Sequence, residues 1–192
     1  MAVRHVFVAA ALTMGLSSPV LAQPPADILP NPLFDQFLNL CDAIGVKGEQ
    51  ALAKARSLGY VRPPAKFIPA DAAPGMREPQ VLWKVFDGGF IALMTGTMSF
   101  DLLPGASAEV CAVASNPPRP ADLAAVGGWT GSAPIAQAGR TSYLFRETAS
   151  ARRSLPITLP ELQAARDAGE VRALTTGTDN DMSLIMLLRP KP

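Results

Sequence analysis

The sequence has almost no histidine and very little cysteine. Its 192 residues include one histidine, His5, and two cysteines. A Ser-His-Asp triad, a Cys-His dyad and histidine-ligated zinc or haem all need an imidazole. A zinc or iron–sulfur site made of four cysteines needs more thiols than the chain has. If His5 is removed, all these classes of site are excluded within this chain.

His5 lies in a segment that is typical of a secretory signal peptide. Residues 1–22 begin with the basic Arg4, continue with an apolar stretch and end on Val20-Leu21-Ala22, which suits signal peptidase. The apolar stretch is shorter than the roughly 18–20 residues that span a bilayer, which disfavours a membrane anchor. We expect cleavage before Gln23, and cleavage after residue 22 of 192 leaves 170 residues without histidine. The mature chain is expected to be soluble, and either periplasmic or secreted.

An excess of charge of one sign is also missing. The formal net charge is +1 and becomes zero when Arg4 is removed, whereas nucleic-acid-binding proteins are usually strongly basic. The hydrophobic fraction of 48% and the charged fraction of 17% argue against intrinsic disorder. Neither a GxGxxG nor a P-loop pattern occurs, so nucleotide binding lacks its usual signature. We therefore expect no nucleic-acid partner and no cofactor.

The two cysteines predict one disulfide. In an oxidising compartment, an exported pair such as Cys41 and Cys111 is most simply bonded. The alternative is two buried free thiols that behave as small hydrophobic groups. Their separation of 70 residues gives about 4.4 kcal/mol of stabilisation as an upper figure in the chain-entropy model. A CxxC motif is absent, so thiol–disulfide exchange chemistry has no support.

Helical periodicity and capping signals predict four helices. The first begins at Asn31-Pro32 and places Cys41 on its buried face. The others are expected over Glu49–Leu58, over Ala121–Val126 with Gly127-Gly128 as the stop, and from Thr158 to Ala168.

Alternating apolar residues and turn signals predict the strands. They are Val81–Phe86, Phe90–Met98, Glu109–Ala114, Thr141–Glu147, Val171–Thr176 and Met182–Leu188, with a weaker short strand within 149–157. The fold class is α+β, with a mainly antiparallel sheet of five or six strands, N-terminal helices packed on it and one helix-to-strand disulfide. After the signal peptide (1–22) and a proline-rich lead (23–32), residues 33–192 are expected to form one globular domain.

Two nearly continuous apolar runs, Phe90–Met94 and Leu184–Leu188, favour the sheet centre. Strands of this kind are usually covered on both faces. We therefore expect helices on both sides of them, or a second layer or a partner.

Two groups of residues are weak binding candidates. Arg140, Arg146, Arg152 and Arg153 give residues 140–153 a net charge of +3, which suits an anion or an acidic partner. The alternative is a strand edge protected by charges. Trp83 and Trp129 are candidates for a ligand or partner face, although core packing is the commoner role of tryptophan.

Metal and nucleophile patterns are weaker still. Asp179 and Asp181 alternate as in calcium loops, but the EF-hand glycine and glutamate are missing, and a polar hairpin tip explains them as well. Ser107 stands in a sequence that approaches the G-x-S-x-G nucleophile elbow without its last glycine. We interpret Ser107 as a turn residue that leads into a strand, and expect no resident metal.

The favoured function is a non-catalytic binding or interaction domain of the bacterial envelope, whose partner is a small ligand or an envelope protein. The 12 arginines against 5 lysines are typical of proteins from high-GC bacterial genomes. Two alternatives stay open: a carboxylate-based hydrolase or isomerase that works without histidine, and an assembly or inhibitor subunit that completes its core with a partner. A facing pair of acids in a pocket would favour the enzyme, and a large flat apolar patch beside Leu184–Leu188 would favour the subunit.

Overall fold

The computed structural model describes residues 33–42, 48–67, 75–137, 139–179 and 181–192. The predicted signal peptide, the proline-rich lead and the helix start at Asn31 lie outside the described residues. The helices are α1 Leu33–Cys41, α2 Gly48–Ser57, α3 Leu123–Thr130 and α4 Leu159–Asp167, with a short 3-10 helix at Ala65–Phe67. The strands are β1 Arg77–Phe86, β2 Gly89–Ser99, β3 Ser107–Asn116, β4 Ile135–Gln137, β5 Arg140–Glu147, β6 Arg152–Ser154, β7 Val171–Asp179 and β8 Met182–Pro190.

All eight strands belong to one antiparallel sheet with the order β1-β2-β3-β8-β7-β5-β4, and β6 pairs with β5. The predicted α+β class and antiparallel sheet are confirmed. The predicted number of five or six strands is wrong. Strand β4 is not among the predicted strands, because its three residues are too few for an alternating pattern to be recognised, whereas β6 lies within residues 149–157, where a weaker short strand is predicted.

Three of the four helices lie close to their predicted positions, whereas α3 differs. The sequence predicts that this helix ends at Gly127-Gly128, but α3 continues through both glycines to Thr130. Asp122 caps its N-terminus by accepting hydrogen bonds from the backbone N–H groups of Ala124 and Ala125. The helix ends at Gly131, whose φ of 62° is left-handed. The glycine that terminates α3 therefore follows the two that were expected to do so.

One face of the sheet, called the helix face here, is covered by helices over its central strands. Leu93 is opposite Val113, which in turn is opposite Ile185, so these three side chains share a face. All three are completely buried. They form one hydrophobic cluster with residues of α1, α2 and α3. The N-terminal helices therefore pack on the sheet as predicted.

The disulfide joins this helix layer to the sheet. Cys41, the last residue of α1, is bonded to Cys111 in β3 with an S–S distance of 2.05 Å. This confirms the predicted helix-to-strand bond and accounts for both cysteines of the chain. Such a bond is consistent with an oxidising, extracytoplasmic compartment. Within the described ranges, no helix has the length and apolar character needed to cross a membrane.

Candidate functional site

The opposite side of β1, β2, β3 and β8 presents an apolar surface, called the open face here. Register places its side chains in rows across the four strands. Met94 is opposite Val81 and Ala112, and Ala112 is opposite Met186. The ten residues of the open face are Val81, Trp83, Val85, Phe90, Ala92, Met94, Ala112, Ala114, Leu184 and Met186. None of them has a titratable side chain.

Burial separates the two faces along β8. Ile185 and Leu187 point to the helix face and are 0% and 2% exposed. Leu184 and Met186 alternate with them and are only partly buried. Neither hydrophobic cluster found among the described residues includes an open-face residue. The expectation that Leu184–Leu188 is covered by helices on both sides therefore holds on the helix face, and on the opposite side it holds only at Leu188, which packs against the cluster that includes α4.

Helix α4 covers one end of the sheet on the open side. Its Leu162 and Ala165 belong to a cluster with Ala108 of β3 and Ala173 of β7, and Leu188 packs against that cluster. Met76 lies over Gly96 in β2, where a Cβ atom would be only 2.8 Å from its sulfur. The open face therefore begins where these covering groups end.

Large and small side chains alternate across the open face. In one row, Ala112 lies between Met94 and Met186, and in the next row Ala92 and Ala114 lie between Trp83 and Leu184. Since neighbouring strands are about 4.8 Å apart, the ridges on β2 and β8 are roughly 10 Å apart. Between them the alanines of β3 form a shallow groove. The surface can therefore bind another molecule mainly through apolar contacts.

The open face extends to the outer edge of β1. Val61 pairs with Trp83 through two backbone hydrogen bonds of 2.9 and 2.8 Å, so its side chain adjoins the same row. The Trp83 ring lies 5.6 Å from the ring of Phe90. Val61 and Val85 are 59% and 60% exposed. This edge is therefore the most accessible part of the apolar surface.

A charged network occupies the helix-face side of β5 and β7. Glu147 is buried and accepts hydrogen bonds from Arg152 Nε at 2.9 Å and from Arg172 Nε at 2.7 Å. Arg152 also contacts Asp42 at 2.6 Å, directly after the disulfide. Arg189 of β8 lies close by, and burial together with the charge of Arg172 lowers its pKa. This network cannot be predicted from a local sequence pattern, because Asp42 and Arg152 are 110 residues apart.

The four predicted arginines do not form one cluster. Arg152 belongs to the charged network, and its guanidinium carbon lies 4.0 Å from the Trp129 ring centre. Arg146 pairs with Glu170, and Arg153 stands opposite Arg146 in the register. Arg140 is six residues from Arg146 along β5, a distance of about 20 Å in a strand. The prediction of an anion or partner site here stays a prediction.

The two tryptophans lie on opposite sides of the sheet. Trp129 packs against Phe34, Phe37 and Phe145 on the helix face, with ring distances of 5.6 to 6.0 Å. Trp83 belongs to the open face. The structure therefore places only Trp83 on a surface where an apolar partner has access.

Two grooves accompany these surfaces. The first has a volume of about 470 Å³ and is lined by Arg77, Asp101 and Ser107 among others. Ser107 is the first residue of β3 and pairs with Ser99, so it lies in the strand and not in the turn before it. The second, of about 360 Å³, is lined by Trp129, Glu147 and residues up to Arg152. Each lining set includes a single carboxylate, so neither groove brings together the two acids that a carboxylate mechanism uses.

The candidate metal ligands give little further information. Asp181 has a left-handed backbone with φ of 61° at the tip of the β7–β8 hairpin. The part of the chain that the structure describes has no group of three or more histidine, cysteine, aspartate or glutamate side chains that could hold a metal ion. The assignment of Asp179 and Asp181 stays a prediction.

Comparison with family models, with curated proteins and with solved structures found no match for this chain. Its function must therefore be inferred from the surfaces themselves.

Proposed function

We propose that this protein is a non-catalytic interaction domain of the bacterial envelope that binds a protein through the open face. The observation that supports this proposal is that the larger apolar side chains on one side of the sheet are partly or largely exposed, whereas the central side chains on its other side are completely buried. Proteins that work alone rarely leave a contiguous apolar surface of more than a few hundred Å² exposed. A partner that covers the open face would complete the second layer of the sheet.

The shape of the surface favours a protein over a small molecule. Small-molecule sites are usually concave and bury most of the ligand. The open face is the surface of a sheet with only a shallow groove along β3. The two larger grooves of about 470 and 360 Å³ lie elsewhere. This is the flat patch beside Leu184–Leu188 that favours an assembly or inhibitor subunit among the alternatives.

Side-chain chemistry supports the same proposal. Met94 and Met186 are unbranched and polarisable, so they adjust to the shape of a partner. Trp83 is of the residue type that most often contributes strongly to binding in protein interfaces. An exported location, periplasmic or secreted, is part of the proposal and is supported by the disulfide and by the predicted signal peptide.

Photo-crosslinking in the envelope of the producing cell tests this proposal. A photoreactive amino acid is placed at Val85 in one variant and at Val61 in another. Ile157 is the matched control, because it is 59% exposed, like Val61, and lies outside the open face. We expect a discrete protein adduct, identified by mass, from the two open-face positions and not from Ile157. Equal adducts from all three positions, or none from Val85 and Val61, would contradict the proposal.

A further inference from the structure

The open face carries both a ridge and a groove, so it is complementary to itself. Met94 and Met186 form ridges on either side of Ala112, and Leu184 continues the second ridge beside Ala114. A two-fold axis brings the same patch of two copies together, so that each ridge meets the other copy's groove. Two sheets stacked in this way lie about 10 Å apart with interdigitating side chains.

The charges of the open face and of the whole chain do not favour any partner over a second copy of the chain. The open face has no charged residue, so apposing two copies places no like charges against each other there. The formal net charge of the whole chain is only +1. Proteins with a net charge near zero lack the long-range repulsion that keeps copies apart. They also lack the field that would attract a strongly charged partner.

The size of the surface suits a dimer. Four strands about 4.8 Å apart and three rows of side chains about 6.7 Å apart cover roughly 400 Å² in projection. A stable interface buries about 800 Å² of accessible surface on each partner, of which the apolar centre is one part and a polar rim the other. Ser142 and Thr175, which continue the Met186 row, supply such a rim.

We propose that the open face binds a second copy of this chain and forms a two-fold dimer in which sheet packs on sheet. This inference rests on the proposed function above, because it names the protein that covers the same face.

The oligomeric state of the mature protein with its disulfide intact tests the inference. Light scattering after size exclusion and native mass spectrometry are measured over a roughly hundredfold concentration range. We expect a dimer for the unaltered protein. Met186→Glu brings a charge into the middle of the open face and Val85→Glu brings one to its exposed edge, and each is expected to raise the dissociation constant by about tenfold or more. Ile157→Glu is the matched control and is expected to leave the dimer unchanged.

Val85→Glu is expected to fold normally, because Val85 is 60% exposed and its substitution removes no buried contact. Loss of the dimer in this variant would therefore not be explained by misfolding. A monomer at every concentration would overturn the dimer, as would a dimer that both open-face variants leave intact. If the protein is a monomer while Val85 still crosslinks to a different protein, the dimer fails and the proposed function stands. A monomer without any open-face adduct contradicts both.

Discussion

At the scale of single residues, the environment of Glu147 is the hardest to predict from the sequence. Its neighbours along β5 give no sign that its carboxylate lies between Arg152 and Arg172, with a side chain that is only 4% exposed. The partners come from β6 and β7, so only the sheet register brings them together. A local pattern cannot supply that information.

Glu147→Gln is expected to lower the free energy of unfolding by about 3 kcal/mol, because it leaves the buried guanidinium of Arg172 without its counter-charge. Denaturant titration measures the effect. Glu170→Gln is the control: Glu170 also pairs with an arginine, Arg146, but that arginine side chain is 49% exposed. Its loss should cost less than about 1 kcal/mol. Equal losses in the two variants would show that burial of the Glu147 network contributes nothing.

Tyr60 predicts how stability depends on pH in the alkaline range. Burial raises the pKa of Tyr60 from 10.0 to about 12. Between these values the unfolded chain binds fewer protons than the folded one, so the free energy of unfolding falls as pH rises. The contribution of Tyr60 is complete below pH 10 and is lost on passing through pH 12.

Tyr60→Phe should therefore make the decline in stability between pH 10 and pH 12 shallower, because phenylalanine has no proton to lose. Denaturant titrations at a series of pH values measure the slope. Tyr143 is a second tyrosine whose pKa is raised by burial, so part of the decline is expected to remain. An unchanged slope in the variant would show that Tyr60 does not couple folding to proton binding.

At the scale of secondary structure, the sequence predicts elements well where a pattern is long. The helices α1, α2 and α4 and all strands of eight residues or more were recognised from periodicity and turn residues. The order of the strands cannot be predicted in this way, because β8 also pairs with β3, whose residues are distant in the chain. The sequence predicts the open face only indirectly, because the apolar run Leu184–Leu188 indicates a strand that needs a cover on both sides, from helices, a second layer or a partner.

Helix α3 shows how tertiary structure overrides propensity, and Gly128 makes this testable. A Cβ atom at Gly128 would meet no heavy atom within 4 Å, and the residue has helical backbone. Gly128→Ala is expected to raise the free energy of unfolding by up to about 1 kcal/mol, because alanine restricts the unfolded chain and favours helix.

Gly131→Ala is the contrasting variant. Gly131 has a left-handed φ of 62°, and a Cβ atom there would lie 2.7 Å from the carbonyl oxygen of Arg152. This variant is therefore expected to unfold more easily, and thermal melting compares the two. If Gly128→Ala also destabilised the protein, α3 would not continue through its glycines as described.

At the scale of the whole molecule, the two faces of the sheet have different roles. The helix face carries the larger hydrophobic cluster, the disulfide and the charged network, and these contribute to stability. On the open face, Val85 is 60% exposed and Leu184 and Met186 are partly buried, whereas Ala92, Ala112 and Ala114 are buried. Variants on the two faces should therefore separate: changes at Glu147 affect unfolding, whereas changes at Val85 affect association.

The position of β8 also determines when the fold can be completed during synthesis. Strands β1, β2 and β3 form one consecutive group, and β5 and β7 form another, but only β8 pairs with both. Because β8 leaves the ribosome after every other strand, the two groups have no shared hydrogen bonds until then. A nascent chain arrested before residue 182 therefore lacks the strand that pairs with both groups, and the edges of β3 and β7 that β8 covers are left open to aggregation.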